Sequence, residues 1–483
     1  MELSPAAGAT VLLLSLTLAA VIASVFSRRR SSQRPPCIGG WIPWLGAALW
    51  LRKAPLQFIE QSRIKYGPVF TIVAVGHRLT FVTDEEGCAA FFKSKQVDFL
   101  AFIQRVMQKT ASINKESFYK SYNAIREMMK SRMSQNKMYL YSKKLNEEFY
   151  EHLEYLGMEG TMDLYNFVRQ IMVPVVLNTL FGKETCLTNR KMIAQLEEHF
   201  CKFDEKFEYG ALLPEYLFRD WSKSKHWLLR LVEKVVRDAE RNYPSEDKSK
   251  TLLHHLLDTL KGNATSGFCL VFLWASQTSV YPATFWSLAF IISQPAIYKT
   301  AMEEITAVFG KAAGNENVKI SETELQKLPF LKCCILESLR LRSPGAITRI
   351  VMKPMKIHNY TIPPGDVLMM SPFWMHRNPK YFPEPEVFKP ERWKKANIEK
   401  NIFLDGFIGF GGGQLFCPGR WLVLMEIHML VALILYEFEL TPLDPVPDQS
   451  NLHLAGALKP SGPCRIQYKQ RMKAHSSAMN VLH

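Results

Sequence analysis

The residues best placed to do chemistry lie between Phe410 and Arg420, a stretch reading F-G-G-G-Q-L-F-C-P-G-R. Cys417 follows the glycines Gly411, Gly412 and Gly413 and precedes a long apolar segment with helical spacing. Glycine lets the backbone turn tightly and bring N–H groups close to a sulfur. A helix start carries partial positive charge, which lowers a thiol pKa. Both effects favour a thiolate, the form that ligates metals. Pro418 suits a first helical position, where its missing N–H would have no partner, and Gly419 has no side chain to obstruct a flat macrocycle. A lone cysteine in a glycine turn is as a rule only a small buried hydrophobe; here the neighbouring motifs decide otherwise.

Upstream, Glu337-Ser338-Leu339-Arg340 places an acid and a base on one helix face, able to form a charge-assisted pair. An exposed pair at that spacing contributes little. Its weight comes from Phe388-Lys389-Pro390-Glu391-Arg392-Trp393 further on. The apolar stretch Gly267 to Ser293 contains W-A-S-Q-T-S-V-Y-P-A-T-F-W, with hydroxyls at Thr278 and Ser279 and a helix-bending Pro282.

Phe410, Gly413, Cys417 and Gly419 fit F-x-x-G-x-x-x-C-x-G, and with E-x-x-R and P-E-R-W at their spacing the chain resembles the cytochrome P450 haem-thiolate monooxygenases. The resemblance implies that Cys417 is the axial iron ligand of a haem b, its thiolate pushing electron density onto the iron. Phe410, Gly413 and Gly419 would shape the haem loop, and Arg349 would bind a propionate. The Tyr122 to Arg126 pattern loosely matches another propionate contact. Leu415 stands where the family usually has Arg or His, which removes one such contact. Glu337, Arg340 and Arg392 are implied to form a buried structural triad behind the haem. In the helix crossing the haem, Ala275 and Ser276 take the small positions, while Thr278 and Ser279 take the acid and alcohol positions of a proton relay. The acid is absent, yet a hydroxyl at Ser279 can hold a water and pass protons. Alternatively, both hydroxyls bond back to the preceding turn.

The implied activity is insertion of one atom of O2 into a C–H bond. With no dinucleotide fingerprint in the chain, electrons are implied to come from NADPH through a separate NADPH–cytochrome P450 reductase. The Trp274 to Trp286 segment and S-P-F-W-M-H-R-N-P-K-Y-F-P-E-P-E-V-F-K-P-E-R-W resemble the branch containing sterol 7α-hydroxylases and prostacyclin synthase. That implies a sterol or oxysterol substrate. Two rivals stay open: an isomerase acting on a peroxide without reductase, which would tolerate the missing acid, and a haem- or sterol-binding membrane protein without turnover.

Positioning these groups takes a large core, which 483 residues of 47% hydrophobic composition can supply. Length alone suggests two or three domains. The resemblance implies instead one haem domain, residues 47–483, mainly α with small β-sheets (α+β) in the cytochrome P450 fold. Before it stand a single transmembrane signal anchor at 1–30 and a proline-rich hinge at 31–46. Ala9 to Phe26 is uncharged and long enough to span a bilayer. Arg28, Arg29 and Arg30 follow, keeping the body on the cytosolic side, as expected of an endoplasmic reticulum membrane protein. Nine cysteines without a C-x-x-C pair suggest reduced thiols. The formal charge of +15 fits an acidic protein partner or an anionic membrane lipid surface. No basic cluster interleaved with aromatics points to nucleic acid.

Along the chain, Pro55 to Tyr66 reads as a helix stopped by Gly67-Pro68, and Val69 to Val75 with Leu79 to Thr83 as a hairpin. Leu145, Phe149, Leu153 and Leu156, and Ile193, Leu196, Phe200, Phe203 and Phe207, recur at helical spacing. Tyr209 to Trp221 reads as an apolar loop, implied by the resemblance to roof the substrate entrance. Trp421 to Leu440 is apolar, but its internal charges favour a buried helix over a second span.

Overall fold

The computed structural model describes residues 33–42, 44–246, 250–260, 262, 264–310, 317–343, 345–396, 403–413, 416–450, 454 and 459–471, together with Ser15. The expected signal anchor, Ser15 apart, and Leu415 lie outside the described residues. The chain forms two compact units, residues 1–102 with 347–371, and residues 103–346 with 372–483. Among the described residues helices dominate, beside sheets of six, three and two strands.

The first unit is built on the six-stranded sheet. Within the proline-rich stretch, Cys37–Ile38 pairs in parallel with Thr71 and Ile72. Val69–Ala74 and His77–Val82 form the antiparallel hairpin. Its turn needs positive φ at both central residues, and Val75 and Gly76 supply it at 51° and 75°. Buried Asp366 accepts from Thr80 Oγ1 at 2.9 Å and Arg78 Nε at 2.8 Å, fixing the sheet's inner face. The Pro55–Tyr66 helix has proline in its first turn and ends at Gly67, φ 91°.

The second unit is helical. Leu164–Phe181 is, among the described residues, the one helix long and apolar enough to cross a membrane, but 78% of that window is buried. It is a core helix, as is Arg420–Glu437, which is buried along almost its whole length. Phe438–Pro442, Arg465–Gln470 and Glu159–Asp163 form an antiparallel sheet that joins the chain's end to its first half. The Cys464 N–H donates to Asp163 Oδ2 at 2.8 Å across 301 residues of sequence.

Two expectations are corrected here. Tyr209 to Trp221 is no loop: Phe207–Leu212 and Glu215–Leu217 are helical, and another helix runs from Arg219 to Arg241. Two aromatics of these helices are packing groups, while Tyr216 is exposed. Phe207 stacks on Trp274 at 3.8 Å, and Trp221, wholly buried, stacks on Phe203 at 5.6 Å. Gly210 lies so close to the Trp221 ring that a Cβ would approach within 2.3 Å. The expected Gly267 to Ser293 helix is split into Thr265–Gln277 and Val280–Ile292. Pro282 has no N–H for the Thr278 carbonyl, so the break falls one turn ahead of the proline.

Candidate active site

The glycine run makes a closed loop. Gly411 and Gly413 have φ of 83° and 66°, conformations that L side chains resist. The Cys417 N–H then donates back to the Phe410 carbonyl at 2.9 Å. Gly419 is the N-cap of Arg420–Glu437, its carbonyl accepting from Val423 at 3.0 Å. Pro418 therefore sits in the turn ahead of the cap and not at the first helical position, because the first i to i+4 bond starts at Gly419. A Cβ on Gly419 would meet only Met133 Sδ, at 3.8 Å. An exposed cysteine beside an open glycine surface at a helix start fits a flat macrocycle held through sulfur.

The thiol itself departs from expectation. Although Cys417 keeps an accessible face, burial pushes its pKa up. The N–H groups of Gly419 and Arg420 and the Arg420 charge pull it down by less. The helix start therefore does not make the thiolate unaided. A bound metal ion deprotonates a coordinating thiol outright, so a metal held at this sulfur would ionise its own ligand.

In the same unit, Glu337 is wholly buried and receives four donors from side chains. Arg340 Nε and Nη2 reach it at 2.9 and 2.8 Å, Arg392 Nε at 2.9 Å and Trp393 Nε1 at 2.9 Å. The Lys389 N–H adds a bond at 3.0 Å. Arg340 Nη1 donates to the carbonyls of His376 and Pro385, at 2.8 and 2.6 Å. His376, fully buried, joins this cluster to the cysteine loop's approach. Its Nδ1 donates to the Arg340 carbonyl at 2.9 Å, and its Nε2 accepts from the Ile408 N–H at 3.0 Å. Those partners require a neutral ring, and burial lowers its pKa to about 3. Phe407 stacks on it at 4.9 Å and meets Phe410 at 6.2 Å. Glu337, Arg340 and Arg392 are thus brought together as the sequence suggested. Trp393 and His376 complete the set and carried no assigned role. Trp393 closes the P-E-R-W segment, while the aromatic context F-W-M-H is the only sequence signal for His376.

At the helix break, Thr278 Oγ1 bonds back to the Trp274 carbonyl at 2.9 Å, the alternative in which the hydroxyl is occupied locally. Ser279 makes no capping bond to the helix it precedes. Gln277 is 2% exposed, and its Nε2 is buried without a partner among the described residues. One turn earlier, Trp274 Nε1 donates to Asp204 Oδ1 at 3.1 Å, and Lys459 Nζ donates to Asp204 Oδ2 at 2.5 Å. Burial draws the Lys459 ammonium down, but the Asp204 carboxylate outweighs it and the pKa is raised. Nothing in sequence spacing relates Asp204 to Lys459.

Arg349 belongs to the first unit, on strand Ile347–Val351. Its guanidinium lies over Phe91 at 4.8 Å and Phe99 at 5.0 Å, and Nη1 donates to the Thr348 carbonyl at 3.1 Å. Tyr122 sits against Phe118 at 5.3 Å in the second unit.

The family model described as Cytochrome P450 matches residues 35–468. The human protein named 24-hydroxycholesterol 7-alpha-hydroxylase is 51% identical over 450 residues, 92% of this chain and 96% of the relative. The mouse protein of that name is 50% identical over 457 residues, 94% and 97% of the two chains. A solved structure, "Retinoic acid bound cyanobacterial CYP120A1", superposes with a TM-score of 0.75 at 19% identity, covering 92% of this chain and all of that one.

Proposed function

The chain belongs to the cytochrome P450 family, and from that premise we propose that it 7α-hydroxylates 24-hydroxycholesterol, a step in oxysterol and bile acid metabolism. The observation that carries the substrate is identity of about half, spread over nine-tenths of the chain, with two relatives named for that reaction. A cyanobacterial likeness at 19% identity supports the fold alone.

In this reading Cys417 would hold the haem iron through its sulfur, Gly419 would leave open surface for the ring, and Phe410 and Gly413 would hold the loop's shape. Arg349 binds a propionate, and its aromatic bed keeps the guanidinium from swinging away. When bound, the haem supplies the activation of O2 that inserts oxygen into a C–H bond. The protein's part is to exclude water, hold the sterol and deliver protons. Ser279, beside the helix break and uncommitted to a cap, holds a water and hands on its proton at Oγ. Thr278 is the lesser member, since its hydroxyl is already engaged.

Electrons arrive from NADPH through the separate NADPH–cytochrome P450 reductase, drawn to the chain's positive charge. The body is held at the endoplasmic reticulum membrane by the 9–26 anchor. Trp41, Trp44 and Trp50, exposed at 89, 59 and 51%, beside Arg52 and Lys53, have the chemistry of a lipid-interface contact.

The test is incubation of holoenzyme with reductase, NADPH and a panel of side-chain-hydroxylated sterols. The expected result is 7α-hydroxylation of 24-hydroxycholesterol in preference to the others. Failure on every sterol overturns the substrate. Rearrangement of a hydroperoxide without NADPH would establish the isomerase instead. A thiolate-type reduced carbonyl spectrum without turnover of any substrate would establish the binder.

A further inference from the structure

The break at Thr278 and Ser279 is a soft joint by its backbone. Ser279 has φ −117°, far from the helical value, and its N–H reaches the Ser276 carbonyl only at 3.4 Å. Pro282 offers the Thr278 carbonyl no donor. With the hydrogen-bond ladder interrupted, the angle between the half-helices Thr265–Gln277 and Val280–Ile292 is set by what packs against them. Ahead of the break, the Trp274 indole is held by its edge and its face. Its Nε1 donates to Asp204 Oδ1 at 3.1 Å, and Phe207 covers the ring at 3.8 Å with the planes 11° apart. Asp204 is tied down in turn, its Oδ2 accepting a charge-assisted bond from Lys459 Nζ at 2.5 Å. Beyond the break, buried Tyr281 meets Tyr165 edge to face at 5.3 Å, and the Lys459 charge acts on Tyr281 as well as on Asp204. One ion pair therefore bears on both half-helices. It also ties them to the last turn of the Arg190–Glu205 helix and to the C-terminal part of the chain, all within the second unit.

We propose that Asp204 and Lys459 form a brace that fixes the angle of the break and so positions Ser279 for proton delivery. Both are positioning residues, acting through Trp274. Ser279 is half-buried between buried Thr278 and Val280, and Ala275, one turn ahead of it, is exposed, so the serine lies on the side of the helix that opens to free space. A group that hands on a proton has to be held within about 0.5 Å of its productive place, which a loose joint does not do. The effect on turnover rests on the role proposed for Ser279; the effect on the joint does not.

The experiment is amide hydrogen exchange read by mass spectrometry on the ferric holoenzyme, comparing the peptide that covers residues 275–284 with one around Glu337. Trp274→Phe keeps a ring for Phe207 and deletes the donor, while Lys459→Met deletes the charge and keeps the stem. Each is expected to speed exchange at the break about tenfold and leave the Glu337 peptide unchanged. The double variant is expected to go no further than the faster single one, because both act on one brace. Lys459→Arg, which keeps the charge, is expected to exchange as the unaltered protein does. With reductase, NADPH and 24-hydroxycholesterol, Lys459→Met is expected to yield about threefold less product per NADPH at unchanged KM. Unchanged exchange at the break in both single variants overturns the brace. So does equal acceleration in both peptides, which reports general loosening, and so do additive effects in the double variant. Where Lys459→Met does not fold, Asp204→Asn with Lys459→Met, which leaves no lone charge, decides: unchanged exchange at the break overturns the brace. Faster exchange at the break, with no hydroxylation by the unaltered enzyme, upholds the brace and overturns the sterol reading alone. Hydroxylation with undiminished product per NADPH in Lys459→Met overturns the positioning role.

Discussion

Two buried polar regions of the second unit are built on opposite principles. Around Glu337 every charge has its partners, and the surrounding carbonyls absorb the remaining guanidinium donors. Around the break at Thr278 and Ser279 the backbone loses a bond to Pro282, a serine hydroxyl makes no cap, and an amide nitrogen on Gln277 is left over. A fully satisfied network has one arrangement and therefore holds position. A site with spare donors and acceptors has capacity for water or a reacting molecule. The first is a girder and the second is the proposed workplace, and substitutions should separate them by what they damage.

The largest effect is expected at the Cys417 loop. Cys417→Ser should abolish the thiolate-type spectrum of the reduced carbonyl complex and all turnover; survival of either refutes the ligand. Next is Glu337→Ala, which strands buried Arg340 and half-buried Arg392 and should cost about 3–5 kcal/mol in urea unfolding of the holoenzyme. A cost below about 1 kcal/mol would mean the girder carries no load. The third concerns pH. His376 and His428 are held neutral, with pKa lowered to about 3, so below about pH 6.5 the unfolded chain binds protons that the folded one refuses. Their stabilisation is complete above that value and drains away as pH falls towards about 3, at up to about 1.4 kcal/mol per pH unit each. His376→Gln should reduce that slope, read from urea midpoints between neutral and mildly acid pH. An unchanged slope contradicts the neutral, bridging role. The smallest effect belongs to the workplace. Ser279→Ala should slow turnover about tenfold to a hundredfold and divert NADPH from product, leaving unfolding unchanged. Thr278→Val should alter turnover by less than about twofold, because its hydroxyl is already spent on Trp274.

The girder was largely legible in the sequence because E-x-x-R and P-E-R-W are local patterns. His376 was not, since its work is done against main-chain atoms of Arg340 and Ile408, which no residue spacing reveals. Pro282 announced a bend, but its position follows from which carbonyl loses a donor, so the break falls before the proline. The Tyr209 to Trp221 stretch read as loop because its aromatics have no helical period; packing on Trp274 and Phe203 imposes the helices. The helix-start N–H groups pull the Cys417 thiol down as the sequence suggests, but burial, which depends on everything folded around the sulfur, outweighs them. The Asp204–Lys459 pair, likewise, exists only once distant segments meet.

The sheet that joins Glu159–Asp163 to Arg465–Gln470 has a consequence for how the protein is made. A ribosome adding about 5–20 residues per second leaves the earlier strand bare for about 15–60 s before its mate is translated. Throughout that interval the nascent chain carries an open hydrogen-bonding edge, the kind that invites pairing with a stranger. A premature stop ahead of Arg465 would make that exposure permanent, so such a product should be a client of chaperones and proteases even with every haem-loop residue intact.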